Sequence, residues 1–249
     1  MNYLAHFVLN HDIWRLPVEP YFVTGVALPD LWLRFSRRHR IRWKSVRAAA
    51  PTDCAGRQLR AGLLNHADVD RHFHALPAFC LWQQELRRRV DGNGTHPALL
   101  DFLAHVAVEL ALDHHVLRGE PHLPDRFYDV VAAAPPEQVA QRLSSLTGVA
   151  ADGLTEVLRG FVRRRFLRRY ASTAGLANVL RIVLQLAEMP AAPDALLHRL
   201  TSEAVELVRP TEVWVGLPPP SVGTSGPLTA GRPLLPVAEC VLSQQPPDG

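Results

Sequence analysis

The sequence has few cysteines and no long apolar run. Its three cysteines, at positions 54, 80 and 240 of 249 residues, are too widely spaced for a thiolate zinc site or a disulfide framework. No stretch of about 18 uncharged apolar residues could cross a bilayer. The amino-terminal segment MNYLAHFVLNHDIW lacks the basic flank and cleavage site of a signal peptide. We therefore expect a cytoplasmic protein without a membrane span.

The strict alternation of apolar and polar residues that marks a half-buried strand is also missing over any useful length. Hydrophobic residues make up 47% of the chain, enough for a substantial core. Helix-type patterns separated by Pro and Gly predict an all-α, multi-helix bundle over 1–212. Residues 213–249 are rich in Pro and Gly and are predicted to form an irregular, flexible tail.

Two stripes of polar residues interrupt the apolar helical patterns. His66, Asp70 and His74 are spaced at i, i+4 and i+8, so they share one face of a helix. A second stripe has the same spacing within LDFLAHVAVELALDHHVL and consists of His105, Glu109 and Asp113. Packed face to face, two such helices would bring these side chains together, as in metal sites built within helical bundles. The spacing predicts a metal or catalytic site between core helices.

A purely structural polar network is the alternative explanation for these stripes. A single histidine on an apolar helix is more often a hydrogen-bonded core residue than a ligand, and this applies to His6 near the amino terminus. Asp30 directly follows Pro29, where local sequence favours a helix-capping role. Two matching stripes are harder to explain as a solvated face, so we favour the metal site.

The strongest charge feature is the segment RFSRRHRIRWKSVR, residues 34–47, with seven Arg or Lys in fourteen residues. Such a run is usually a solvated surface, but it could also bind an acidic partner. No nucleic-acid-binding motif accompanies it, so we expect an acidic protein or a phosphate-bearing ligand rather than nucleic acid. Its basic residues are Arg34, Arg37, Arg38, Arg40, Arg42, Lys44 and Arg47.

Five segments together resemble the acyl carrier protein phosphodiesterases, which are small all-helical bacterial hydrolases. In chain order they are MNYLAH, GVALPDLW, LLNHADVDRHFHALPAF, VELALDHHVL and RRYASTAGLANVLRIVL, within residues 1–187. The resemblance implies hydrolysis of the 4′-phosphopantetheine–serine phosphodiester of holo acyl carrier protein to give the apo form. It also implies a divalent metal, manganese, and a substrate protein whose acidity suits the basic segment.

Two residues depart from the pattern of that family. Glu109 stands where the family typically has an Asp, and His74 lies near a position usually occupied by Asp. A second resemblance is to the zinc-dependent phospholipase C and P1 nuclease fold, through the order of His6, Asp30, His66 and the residues that follow. This second resemblance implies hydrolysis of another phosphodiester. The phospholipase C and P1 nuclease fold has no counterpart to the fifth segment, RRYASTAGLANVLRIVL.

Phosphodiester hydrolysis requires a nucleophilic hydroxide and neutralised phosphoryl oxygens, which divalent ions supply. The best candidates for metal ligation are Asp30, His66, Asp70, Glu109 and Asp113. The predicted catalytic residues are Asp30, His66, Asp70 and Asp113. Further ligands or their hydrogen-bond partners are His6, His105 and His114. Mn is implied by the resemblance, while the many imidazoles leave Zn, Fe or Mg possible.

Three functional hypotheses follow from the sequence. The first is a metal-dependent phosphodiesterase acting on holo acyl carrier protein. The second is a metal-dependent hydrolase of a different phosphodiester. The third is a non-catalytic helical module in which the stripes form a buried network and the basic segment binds an acidic partner. Metal content distinguishes the third from the others, and turnover of the carrier protein distinguishes the first from the second.

Overall fold

A computed structural model describes residues 1–35, 40–90 and 94–219, and within them every regular element is a helix. The predicted all-α fold class is therefore confirmed. The α-helices are α1 (Tyr3–Val8), α2 (Pro20–Phe35), α3 (Trp43–Ala48), α4 (Cys54–His74), α5 (Pro77–Val90), α6 (Pro97–Gly119), α7 (Leu123–Ala132), α8 (Pro136–Thr147), α9 (Leu154–Arg164), α10 (Thr173–Leu186), α11 (Asp194–Leu207) and α12 (Pro210–Gly216). A π-helix covers Leu9–Ile13, and a 3-10 helix covers Phe166–Ala171.

Local sequence explains several helix ends. Ser172 caps α10, because its hydroxyl accepts a hydrogen bond from the Gly175 amide at 3.1 Å. Gly148 ends α8 with φ of +67°, which glycine adopts without a Cβ clash. The break before Pro77 also follows from local sequence, since α4 ends at His74 and α5 begins at Pro77, which lacks the N–H needed to continue a helix.

The predicted capping role of Asp30 is wrong. Pro29 and Asp30 both lie inside α2 rather than at the start of a new helix. A proline within a helix lacks the N–H that would bond to the carbonyl four residues earlier, here Gly25. The helix nevertheless continues to Phe35, so Asp30 projects from a helix interior instead of satisfying a helix amino terminus.

The chain divides into two compact units. Unit 1 consists of Met1–Asp70 and Asp113–Ala171, and unit 2 consists of Arg71–Leu112 and the part from Ser172 onward. In unit 1, the buried ring of Phe127 packs against the buried rings of Tyr3 and Phe7. In unit 2, α11 packs against both α5 and α10. The predicted tail at 213–249 lies mostly outside the described residues, although α12 extends from Pro210 to Gly216.

A close contact between α2 and α4 fixes the geometry of unit 1. A Cβ added to Gly62 would collide with the Phe22 carbonyl, and one added to Gly25 would collide with the Leu59 carbonyl. The two backbones therefore approach more closely than any larger residue allows. Gly62 is one helical turn before His66, so this contact brings the carbonyl of Val26 within 2.8 Å of the His66 ring.

No helix in the described ranges combines the length and the apolar composition needed to span a membrane.

Candidate metal centres

Two groups of side chains in the described residues could each hold a metal ion. Group 1 consists of His6, His66 and Asp70 in unit 1, and group 2 consists of His74, His105 and Glu109 in unit 2. In each group, one ligand atom from every residue lies within 4.8 Å of the others. Both groups offer two imidazoles and one carboxylate, a set that binds zinc or iron in many enzymes.

Group 1 is centred on the Asp70 carboxylate. Its Oδ1 lies 3.1 Å from His6 Nε2, and its Oδ2 lies 3.2 Å from His66 Nε2. The two imidazoles stack with ring centroids 4.5 Å apart. The Met1 amino group also lies 2.9 Å from Asp70 Oδ1. Both imidazoles are buried, while Asp70 is partly exposed, so the carboxylate is the most accessible ligand of the group.

The orientation of His66 suits metal binding. Its Nδ1–H donates to the Val26 carbonyl at 2.8 Å, and this bond places the proton on Nδ1. Metal-binding histidines usually donate their other ring N–H in this way, which fixes the tautomer and directs the free nitrogen to the ion. Nε2 of His66 is therefore directed toward Asp70, with Asp30 Oδ1 at 3.9 Å.

His6 is positioned by two backbone anchors. Its carbonyl accepts a hydrogen bond from Asn10 at 2.9 Å, and Asn10 also donates to Asn65 at 3.0 Å. At the other end of α1, the Asp113 carboxylate accepts the amides of Leu4 and Ala5 at 3.0 and 2.7 Å. Asp113 therefore acts on group 1 through the backbone of α1, and its predicted roles as ligand and catalytic residue stay predictions.

The electrostatics of group 1 favour neutral imidazole at His6 and an ionised carboxylate. Burial lowers the pKa of His6 to about 4, helped by the neighbouring His66. Burial also lowers the pKa of His66, but Asp70 and Asp30 outweigh it, so that this pKa lies above its ordinary value. Burial raises the pKa of Asp70, yet the Met1 ammonium and His66 bring it well below its usual range.

Group 2 is centred on Glu109. Its Oε1 lies 2.9 Å from His74 Nε2 and 3.3 Å from His105 Nε2. The buried ring of Phe79 packs against both imidazoles, with centroids 4.9 and 5.0 Å away. Burial raises the pKa of Glu109, but the nearby imidazoles of His105 and His74 are among the interactions that bring it well below its ordinary value.

The eight predicted metal ligands are thus distributed unevenly. Three of them form group 1, and His105 and Glu109 contribute to group 2. Asp30 lies beside His66, whereas His114 donates from Nδ1 to the Tyr170 carbonyl at 2.7 Å. His74 completes group 2 but is not among the ligands predicted from the sequence. Its i+8 position on the first stripe is the signal that identifies it.

The basic segment is partly described. Arg42, Lys44 and Arg47 are exposed, as is Arg40, and Arg34 lies with its guanidinium 5.0 Å from the centre of the Phe166 ring. Arg37 and Arg38 lie outside the described residues. The described part of the segment therefore presents several cations on the surface of unit 1.

No family model matches the chain, and neither a curated protein nor a solved structure does.

Proposed function

We propose that this protein is a metal-dependent phosphodiesterase that removes 4′-phosphopantetheine from holo acyl carrier protein. The observation that carries the proposal is group 1, in which two buried imidazoles and Asp70 converge within 4.8 Å. The hydrogen bond from His66 Nδ1 to the Val26 carbonyl supports metal binding over a purely structural network, because it leaves Nε2 available as a ligand.

A divalent ion bound there would supply Lewis-acid chemistry, lowering the pKa of a water and neutralising charge on the phosphoryl oxygens. The protein's own contribution is to keep the ligands deprotonated and fixed. Because its pKa is about 4, His6 is neutral near pH 7 and can offer a lone pair. Asp70 is ionised at the same pH because its pKa is well below the usual range. Asp30, 3.9 Å from His66, is the additional carboxylate of this group.

Group 2 has the same donor set and would hold a second ion. Its histidine content, like that of group 1, favours Zn or Fe over Mg, since imidazole is a softer ligand than carboxylate. Manganese is the ion that the family resemblance implies. Competition among these ions for the purified protein tests the choice directly.

The acidic substrate is proposed from the exposed cations of the basic segment, including Arg42, Lys44 and Arg47. A carrier protein that presents carboxylates around its phosphodiester would be attracted to such a surface. The substrate phosphodiester also distinguishes this proposal from the second resemblance, which implies a lipid or nucleotide phosphodiester. We expect such an enzyme to be located in the cytoplasm.

The proposal is tested by incubating the purified, metal-loaded protein with holo acyl carrier protein and following loss of phosphopantetheine by intact mass. We expect turnover with the parent and none above background with Asp70→Asn. Asp152→Asn is the matched control, because Asp152 is exposed and lies outside both groups. Turnover of a nucleotide or lipid phosphodiester alone would support the second resemblance. A protein that binds no metal and turns over no phosphodiester would be the non-catalytic module.

A further inference from the structure

Unit 1 contains a cavity of about 240 Å³ that includes none of the residues of group 1. Helices α2, α7 and α9 and the start of α8 line it, and most of the lining is apolar. Its aliphatic walls include Val131, Ala134, Leu158 and Val162. A benzene molecule fits an apolar cavity of roughly 150 Å³, so this cavity has room for on the order of ten non-hydrogen atoms.

One polar side chain in the lining has no hydrogen-bond partner. Thr24 is 1% exposed, and its hydroxyl forms no hydrogen bond with the residues that the structure describes. Threonine within a helix commonly bonds to the carbonyl four residues earlier, and buried polar groups are nearly always paired. The unpaired hydroxyl therefore points to a ligand oxygen as its partner.

Two arginines one helical turn apart on α9 also line the cavity. Arg159 is held by the carboxylates of Glu137 and Glu156. Arg163 is exposed and forms no hydrogen bond or ion pair with the residues that the structure describes. Because both arginines combine exposure with a place in the lining, they mark the mouth of the cavity. The guanidinium of Arg163 is thus available to an anion.

We propose that this cavity binds a medium-chain carboxylate, with the apolar chain against Val131, Leu158 and Val162. The carboxylate accepts a hydrogen bond from the Thr24 hydroxyl and pairs with Arg163. Octanoate has ten non-hydrogen atoms and matches the available volume. A neutral alcohol of the same length would lose the charge pairing, and an alkylammonium ion would be repelled by the two arginines.

The experiment is a titration of the full chain with sodium octanoate, 1-octanol and octylammonium, followed by amide chemical shifts in NMR spectra. We expect saturable binding of octanoate, with octanol about tenfold weaker and octylammonium showing no saturable binding. Arg163→Gln should weaken the binding of octanoate several-fold and leave the binding of octanol unchanged. Arg164→Gln is the matched control, because Arg164 is an exposed neighbour outside the lining, and it should bind octanoate as the parent does.

Two buried variants test the cavity itself. Ala134→Leu places three carbons into the space and should abolish octanoate binding, and Thr24→Val removes the hydroxyl at constant shape and should weaken it several-fold. A thermal melt shows whether Ala134→Leu is folded. If this variant does not unfold cooperatively, the comparison of Arg163→Gln with Arg164→Gln tests the proposal instead. Equal effects of those two variants, equal binding of octanoate and octanol, or no binding of octanoate would each overturn the proposal.

Discussion

Groups 1 and 2 have the same donor atoms and different surroundings. In group 1 the imidazole of His66 is fixed by a backbone carbonyl, and both histidines are buried. In group 2 the imidazoles of His74 and His105 are 17% and 18% exposed and pack against the buried ring of Phe79. The comparison shows that one ligand set can be positioned either by backbone hydrogen bonds or by packing, and the two kinds of support should respond to different substitutions.

The largest expected effect comes from removing the central carboxylate of either group. Asp70→Ala should eliminate the ion of group 1 and leave that of group 2, while Glu109→Ala should do the reverse. Each variant should retain one bound ion, measured by elemental mass spectrometry after dialysis against zinc. Phosphodiesterase activity of Asp70→Ala should fall by at least about 100-fold, at or above the 10–100-fold typical of losing a ligand's hydrogen-bond partner.

The same variants show whether the groups are independent. Binding of an ion to the folded state raises stability by mass action, so the parent should melt at a higher temperature with added zinc. Each single variant should keep part of that gain, and the double variant should lose it. If one substitution removed both ions, the two groups would not be separate sites.

The next effect should come from the contact between α2 and α4. Gly62→Ala would force the backbones apart, because its Cβ meets the Phe22 carbonyl and the Val26 amide. We expect a loss of about 3 kcal/mol in the free energy of unfolding, at the upper end of overpacking costs. The Val26 carbonyl would also move away from His66, so zinc binding should weaken at group 1 but not at group 2. Chemical denaturation and calorimetric titration measure the two effects.

Gly160→Ala is the control for this substitution. Gly160 lies within α9, and a Cβ added there meets nothing within 4 Å. Alanine should therefore stabilise the helix by roughly 0.5–1 kcal/mol, with zinc affinity unchanged. Destabilisation by both glycine variants to a similar extent would contradict the role of the close contact at Gly62.

A smaller effect is expected from Phe79→Leu. The buried Phe79 ring contacts both imidazoles of group 2, so its loss should let them turn away from Glu109. Zinc affinity at group 2 should fall about tenfold, at the low end of effects seen for groups that orient ligands. Zinc binding at group 1 is the reference. It is measured by calorimetric titration of zinc into Glu109→Ala, with and without Phe79→Leu, because Glu109→Ala removes binding at group 2. A matching loss at group 1 would mean that the substitution perturbs the protein generally.

The smallest effect should come from the basic segment. Reversing Arg42, Lys44 and Arg47 to Glu should raise KM for holo acyl carrier protein roughly fivefold at low salt, with less effect at high salt because exposed charges are screened. Turnover of a small phosphodiester and ion content should not change. An equal loss on both substrates would show that the segment supports the fold rather than the encounter with an acidic protein.

The sequence by itself determined the helical class, the break before Pro77, and the two stripes, because these depend on local periodicity and on residues that cannot continue a helix. It also identified most of the residues that the structure brings into the two groups. For Asp30 it favoured capping, because a proline before Asp resembles a helix start, whereas the structure continues α2 through both residues.

Only the tertiary structure decided how the stripes are divided. Spacing shows that His66, Asp70 and His74 share one helix face, but their partners come from segments far away in sequence: His6 joins the first two, and His105 and Glu109 join the third. The same holds for Asp113, which continues a stripe in sequence yet accepts the amides of Leu4 and Ala5. Helical periodicity fixes the direction of a side chain from its own helix, whereas the atom that it meets depends on how distant segments pack.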